Sequence, residues 1–371
     1  MLTNFAALTA EQKLVWSKDL WKAARDMAFI TKFTGGTEAV IQRITELTKT
    51  EKGEQVIMHL LADLVEDGVV GDNERENNEE EMKSYNDKID IDLISHGVRQ
   101  KGKLAEQKTV ISFRENAKER LAYWLANRMD QLAFLTLSGM SYAYNNDGSL
   151  RSSGAFASLA FAPGVDDAPT SKRLLRVDYT GTDYVLLEQS TSSNANLAST
   201  DVLTYKGVVD AVVYAKTHYI KPLNVGGKEY YVAFVRPEAL AQLKKDADYQ
   251  RAVVTGADRG KDNPWFTGGI VTIDGLIFHE HRLVFNTKGA DSGSKWGSGG
   301  TVDGSRMLLC GSQALGFADL GSPEWSEKWF NYDSSPGINI DKMFGFLKPK
   351  FYSIYDKSIE DFGVLCIDHA I

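Results

Sequence analysis

Apolar residues recur along this chain in two rhythms, one helical and one alternating, and the rhythms divide it into elements. Leu14, Val15, Trp16, Leu20, Trp21, Ala24 and Met27 fall near helical intervals behind Thr9-Ala10-Glu11-Gln12, which has capping-box spacing, so an amphipathic helix is expected near the N-terminus. Gly35-Gly36 ends it, a weaker apolar pattern runs over 40–47, and Glu51-Lys52-Gly53 reads as a turn. Over 55–64 the residues Val56, Met58, Leu60, Ala62 and Leu64 share one face at period two. Over 85–94 Ile89, Ile91 and Leu93 do the same, with Asp90 and Asp92 opposite. These predict two strands, each able to reach about 33 Å. The connection between them, 65–84, is rich in Glu, Asp, Asn and Gly, and a link that long is usually functional or mobile. The simplest object is a two-stranded arm with an acidic tip.

Residues 105–138 contain neither Gly nor Pro and carry Ala117, Leu121, Leu125, Met129, Leu132 and Leu135 at steps of three and four. The helix they predict would be about 51 Å long, longer than a small domain is wide, with Ser138-Gly139 as its stop. Residues 145–200 read as an irregular insertion. Beyond it come a helix around Val208, Val209, Val212, Val213 and Ala215, a buried strand over 230–235, and a helix opened by Pro237 and running over 238–249. A Gly/Ser loop over 288–304 and strands over 343–351 and 362–367 complete an α+β pattern.

Composition narrows the class. With 43% hydrophobic and 25% charged residues in 371, the chain is that of a globular protein, and its length suggests two or three subdomains. No apolar run approaches the roughly 18 residues of a membrane helix, and Glu11, Lys13, Lys18 and Asp19 interrupt any signal-peptide core, so a soluble, intracellular protein is expected. Cys310 and Cys366 sit in apolar strand contexts and read as unpaired core thiols. The net charge of -8 is concentrated: residues 63–92 hold twelve acids and three bases, a net of -9, which leaves +1 for the rest. Residues 93–125 then carry seven bases and three acids. Adjacent blocks of opposite sign invite an electrostatic contact, within the chain or between copies.

Catalytic chemistry is sparse. His279 and His281, two apart on a predicted strand, would point to one face and are the best metal-ligand pair, yet His59, His96, His218 and His369 are scattered and position 283 is Leu, so a structural strand is expected. The stretch from Asp72 to Asn77 mimics the start of a calcium loop but has Asn77 where the sharp turn needs Gly. Gly226-Gly227-Lys228 and residues 289–295 each lack a glycine of the phosphate loop, no nucleophile elbow occurs, and no basic stripe with interleaved aromatics is evident. Neither an enzyme nor a cofactor is indicated.

A set of ordered motifs carries a resemblance. Gly71-Asp72-Asn73-Glu74-Arg75-Glu76-Asn77-Asn78-Glu79-Glu80, the strand Ile89-Asp90-Ile91-Asp92, Ser95-His96-Gly97-Val98, Gly102-Lys103-Leu104-Ala105-Glu106-Gln107-Lys108 and Leu121-Ala122-Tyr123-Trp124-Leu125-Ala126 lead it. Arg236-Pro237-Glu238, Asn263-Pro264-Trp265-Phe266-Thr267-Gly268, Leu308-Leu309-Cys310-Gly311-Ser312-Gln313-Ala314 and Asp361-Phe362-Gly363-Val364 follow. From about residue 40 onward the chain resembles the major capsid proteins of tailed double-stranded-DNA phages in the N-four-like family. One departure is Asn77, where relatives tend to have Gly.

The resemblance implies a Hong Kong ninety-seven-type capsid fold. It implies an N-terminal arm (1–38), an E-loop region with the acidic tip (39–103), a peripheral domain on a spine helix (104–140), an inserted axial domain (141–335) and return strands of the peripheral domain (336–371). It further implies hexamers and pentamers in an icosahedral head, assembled in the host cytoplasm, that encloses double-stranded DNA without reading its sequence. Portal, scaffolding or cement proteins would be partners, and no membrane would be involved. Charge suggests that Glu76, Glu79, Glu80 and Glu81 of one copy meet Arg99, Lys101 and Lys103 of the next, although the loop could fold back on its own chain. Two other classes compete: a nanocompartment shell holding protein cargo, and a metal-dependent enzyme built on His279 and His281.

Overall fold

The computed structural model describes residues 10–45, 53–61, 64, 67–71, 75–76, 79, 84–102, 113–189, 193–256, 271–332 and 334–371. Helix α1 (Ala10–Met27) leads into strands β1 (Thr34–Gly35) and β2 (Ile41–Ile44). The predicted arm follows as β3 (Gln55–Leu61) and β4 (Ser84–Asp90), paired antiparallel with Val56 opposite Ile89 and Leu60 opposite Tyr85. Both strands are shorter than the pattern suggested. The second breaks at Ile91, because the residues after it, β5 (Asp92–Arg99), pair along β15 (Ser335–Leu347) instead of continuing up the hairpin.

The spine helix α2 (Phe113–Leu137) is described for 25 residues, about 37 Å; the expected start over 105–112 lies outside the described residues. It ends as expected. Gly139 adopts φ +62°, Met140 N–H donates to the Leu135 carbonyl at 2.9 Å and Gly139 N–H to that of Thr136 at 3.0 Å, a Schellman closure.

Two sheets flank this helix. The first joins β1, β2, β5 and β15 with β13 (Leu315–Asp319) and β14 (Glu324–Phe330), in the order β1-β2-β13-β15-β14 with β5 along β15. The second holds β6 (Leu174–Tyr179), β7 (Tyr184–Glu188), β8 (Leu223–Val225), β9 (Lys228–Val235), β10 (Thr272–Ile273), β11 (Leu276–Glu280), β12 (Gly304–Cys310) and β18 (Val364–Ala370). A separate two-stranded hairpin pairs β16 (Lys350–Ser353) with β17 (Ser358–Asp361). Strands β6 and β7 correct the reading of 145–200 as irregular; the short Leu174-Leu175-Arg176-Val177 and Tyr184-Val185-Leu186-Leu187 runs were hidden among turn residues. Sheet membership also cuts across the expected divisions. Strands β13 and β14, inside the 141–335 segment, lie in the first sheet, whereas β18, inside 336–371, lies at the centre of the second between β12 and β6.

Three helices cover the far face of the second sheet: α3 (Tyr205–Thr217), α4 (Pro237–Lys245) and α5 (Ala247–Gly256). The single helix expected over 238–249 breaks at Asp246, whose backbone is extended. Its side chain accepts from Asp248 N–H at 3.2 Å and from Tyr205 N–H at 2.7 Å, so it caps the start of α5 while tethering α3. Met307, Leu309, Leu365 and Ile367 face these helices; Leu308, Cys310, Val364 and Cys366 face α2, and both thiols are buried and free. Burial on both faces explains the continuous apolar runs of β12 and β18.

The first sheet is tied to α1 by buried charge. Asp319 accepts from Arg43 Nε at 3.0 Å and from the Lys342 ammonium, which also donates to the Gly321 carbonyl and lies 4.1 Å from the ring centre of Trp21 in α1. The Lys342 side chain is 1% exposed. Asp319→Ala would leave that ammonium buried without its counter-ion and is expected to cost about 3–5 kcal/mol, read from urea unfolding of the unassembled subunit.

Candidate functional site

Like β16–β17, the hairpin β3–β4 has no place inside either sheet. Its inner face, Val56, Met58, Leu60 and Ile89, buries against Ile44 and Ala318 of the first sheet, with Leu347, Phe351 and Phe362 at the margin. The seat is made by two glycines. A Cβ on Gly345 would stand 2.2 Å from the Asp90 carbonyl oxygen and 3.0 Å from Ile89 Cγ2; one on Gly316 would stand 2.8 Å from Met58 Sδ and 2.9 Å from Ile89 Cδ1. Close approach of two backbones thus replaces side-chain interdigitation at the hairpin's base. Asp87 adds a polar tie, accepting from Lys350 N–H at 2.8 Å; burial raises its carboxyl above the ordinary value, against the lowering by Lys350. Beyond the base, Glu76 and Glu79 are exposed, as are Leu64 and Val70 at 64% and 78%. Glu80, Glu81 and Lys103 lie outside the described residues.

Arg99 and Lys101 mark the other end of β5, roughly 23 Å along the strand from Asp92. The Arg99 guanidinium stacks 4.2 Å from the Phe330 ring centre and Nε donates to Ser335 Oγ at 3.2 Å; Lys101 is exposed. Among the described residues no ion pair joins Glu76 or Glu79 to Arg99 or Lys101. Sequence reasoning missed the seat glycines, Asp87 and Lys350. The Gly316 and Gly345 positions, each flanked by large apolar residues in a strand, were the available signal.

His279 and His281 sit elsewhere, where the chain after α1 crosses α2. Phe29 stacks on His281 at 4.4 Å and Phe134 lies near-parallel to the same ring at 5.2 Å, while Phe33 meets His279 edge-on at 4.8 Å. Leu283 N–H donates to His281 Nδ1 at 3.3 Å, which requires that nitrogen unprotonated. Burial, with Arg282 and Lys32 nearby, pushes His281 down to about 4; burial and Lys32 lower His279 as well. Asp130 of α2 accepts from Phe29 and Ile30 N–H, both at 3.0 Å, and burial raises it to about 6. This is a docking joint between the N-terminal segment and the spine. Among the described residues no group of three His, Cys, Asp or Glu is placed to hold a metal ion.

A family model described as phage capsid protein matches residues 4–371. The major capsid protein of Pseudomonas phage KPP25 is 49% identical over 366 residues, covering 98% of this chain and 96% of that protein. Among solved structures, the capsid of Ralstonia phage GP4 superposes with a TM-score of 0.72 at 28% identity over 92% of this chain and 90% of that one. The capsid asymmetric unit of cyanophage Pam1 superposes with a TM-score of 0.70 at 20% identity, covering 100% of this chain and 99% of that one.

Gly345→Ala is expected to lift the hairpin from its seat, costing about 1–3 kcal/mol and speeding amide hydrogen exchange in β3 and β4. Gly36→Ala, where nothing lies within 4 Å of the added methyl, should change neither. The joint generates a pH signature. His281, with a lowered folded value, contributes stability that is present above pH 6.5 and lost as the pH falls towards about 4. Asp130, with a raised folded value, contributes stability that is present below pH 3.8 and lost as the pH rises through about 6. The two oppose each other between pH 4 and 6, so His281→Phe should gain Tm relative to the parent when the pH is taken from 7 to 5.

Proposed function

The chain belongs to the phage capsid protein family, and from that premise we infer that it is a major capsid protein whose copies build the icosahedral head shell of a tailed phage. The observation that carries this is the 49% identity to a major capsid protein across almost the whole of both chains. Its α+β architecture is the Hong Kong ninety-seven-type capsid fold, with the hairpin in the place of the E-loop and α2 in that of the spine helix. The shell encloses double-stranded DNA, and the portal and any scaffolding or cement proteins are its further partners.

Subunit contacts in such a shell are heterologous: a patch on one copy meets a different patch on the next, and the same chain must serve in hexamers and pentamers. A hairpin fixed at its base and solvated at its tip suits that task. The acidic tip, with Glu76, Glu79, Glu80 and Glu81, docks on the basic end of β5 and the segment after it, Arg99, Lys101 and Lys103, of a neighbouring copy. Support comes from the opposite charge of the two blocks and from the absence of an ion pair between Glu76 or Glu79 and Arg99 or Lys101 within one chain, among the described residues. The alternatives lose ground. The histidine pair is occupied by aromatic stacking, and nothing among the relatives reported favours a cargo shell.

Electron microscopy of the purified protein at high concentration should show closed particles; a stable monomer under all assembly conditions would refute the shell. Replacing Glu79, Glu80 and Glu81 with Lys should cut particle yield severely, and unchanged yield and salt resistance would sink the docking of the tip.

A further inference from the structure

Tyr219, just past the end of α3, and Tyr355, in the turn of the β16–β17 hairpin, stack in a geometry that ordinary preferences oppose. Their ring centres lie 3.4 Å apart with the planes 8° from parallel, which leaves no room for the lateral offset that aromatic pairs favour at roughly 4.5–7 Å between centres. Both rings are nevertheless open to water, at 56% and 45% exposure. Tyr219 also sits at φ +55°. Its N–H donates to the Lys216 carbonyl at 3.2 Å and Ile220 N–H to that of Ala215 at 3.0 Å, a Schellman closure whose left-handed position usually belongs to Gly.

The residues next to both rings are clamped together. His218 Nδ1 lies 2.5 Å from Asp356 Oδ1, Arg173 Nη1 lies 3.3 Å from Asp356 Oδ2, and Arg173 Nη2 donates to the His218 carbonyl at 3.1 Å. Asp356 also accepts from Ser353 Oγ at 3.0 Å, and Lys357 N–H closes the turn on the Ser353 carbonyl at 2.8 Å. The Arg173 and Asp356 side chains are buried, so one ion cluster fixes the residue before Tyr219 to the residue after Tyr355. Two nearly parallel rings with centres 3.4 Å apart bring carbons of one to the near-attack separation of about 3–3.5 Å from carbons of the other. The other tyrosine pairs are less suited: Tyr179 and Tyr184 are tilted by 34° at 4.7 Å, and Tyr205 and Tyr249 by 47° at 6.4 Å.

We propose that Tyr219 and Tyr355 are an oxidative coupling site, preformed for a dityrosine staple within one subunit. A one-electron oxidant, a photogenerated metal complex or a peroxide-derived radical, takes one electron from each ring, and each phenol releases its proton to water. The two radicals join through a carbon ortho to each hydroxyl, and the hydrogens on those carbons return to the oxygens by way of water. In sum two C–H bonds are replaced by one C–C bond, with two electrons passed to the oxidant and two protons to solvent. The bond ties the end of α3 to the β16–β17 hairpin, which carries Phe351 to the margin of the arm's seat.

The test uses the full-length unassembled subunit in dilute solution with a ruthenium tris-bipyridyl complex, persulfate and a brief flash, read by dityrosine fluorescence and by mass spectrometry of the digest. A crosslinked peptide joining Tyr219 to Tyr355, lighter than its two components by two hydrogens, should dominate at a yield independent of protein concentration. Tyr219→Phe and Tyr355→Phe keep the stack and remove the reactive phenol, so each should abolish that peptide, while Tyr179→Phe should leave it unchanged. The linked subunit should unfold at a higher urea concentration than the unlinked one. Coupling spread over other tyrosines, a Tyr219–Tyr355 link found only in covalent dimers, or an unchanged unfolding midpoint would overturn the proposal.

Discussion

The last six residues of α2 are covered on every side, and the fold is organised by the need to cover them. From Leu132 to Leu137 every residue is buried, Thr136 among them, with its hydroxyl turned back to the Leu132 carbonyl and to Tyr142 Oη. A helix apolar all round cannot lie on a surface; it needs neighbours on opposite sides. One side is supplied by Ile338, Ile340, Phe344 and Phe346 of the first sheet, the other by Leu308, Cys310, Val364 and Cys366 of the second. The two sheets therefore share one core through a helix neither could bury alone. That shared core is what makes a chain of 371 residues with two sheets a single stiff building block, as a shell subunit must be if contacts at one end are to set geometry at the other.

Buried charge sits where elements distant in sequence must meet in one arrangement. Arg306 of β12 pairs with Asp368 of β18 at 2.7 and 2.9 Å and donates to the Ser138 carbonyl just past the end of α2. Asp319 gathers Arg43 and Lys342, and Asp130 receives the backbone of Phe29 and Ile30. Such pairs are weak sources of net stability, because desolvation offsets the attraction, but each is costly to misplace. Their distribution follows the joints: segment after α1 to α2, β2 to β13 and β15, β12 to β18. Packing supplies the stabilisation and the ion pairs restrict it to one register.

Legibility in the sequence followed the length and purity of each pattern. The spine helix, the hairpin, the strand at 230–235, the stop at Gly139 and the helix start at Pro237 were readable because each rests on local periodicity or on a single residue with strict backbone demands. What stayed hidden was non-local. The break of the second hairpin strand at Ile91 depends on β15, which lies some 240 positions away, and nothing in the Ile89-Asp90-Ile91-Asp92 alternation records it. Strands β6 and β7 are short; β6 holds its place by pairing with β18 near the C-terminus, and β7 by pairing with β6. The seat of the hairpin is written as two glycines, and a glycine in a strand says that something comes close without saying what. The histidine pair was read as part of a structural strand, but the rings it packs against, Phe29 and Phe134 for His281, come from distant segments that its own spacing does not record.

The placement of charge completes the account of why this chain joins copies of itself rather than collapsing on itself. A segment of -9 on a chain that is otherwise +1 would gain most by folding onto its own basic block, which begins at residue 93. The base of the hairpin opposes that. Gly345 and Gly316 hold β4 against β13 and β15, and β5 then runs along β15, carrying Arg99 away from the root. Arg99 stands about 23 Å along β5 from Asp92, and attraction between charges that far apart is screened at physiological salt, where the screening length is about 8 Å. The seat of the hairpin, apolar packing with the Asp87 tie beside it, therefore holds the root of the arm well away from Arg99. Under the docking proposed for the tip, burial fixes where the arm is rooted and charge selects what its end meets.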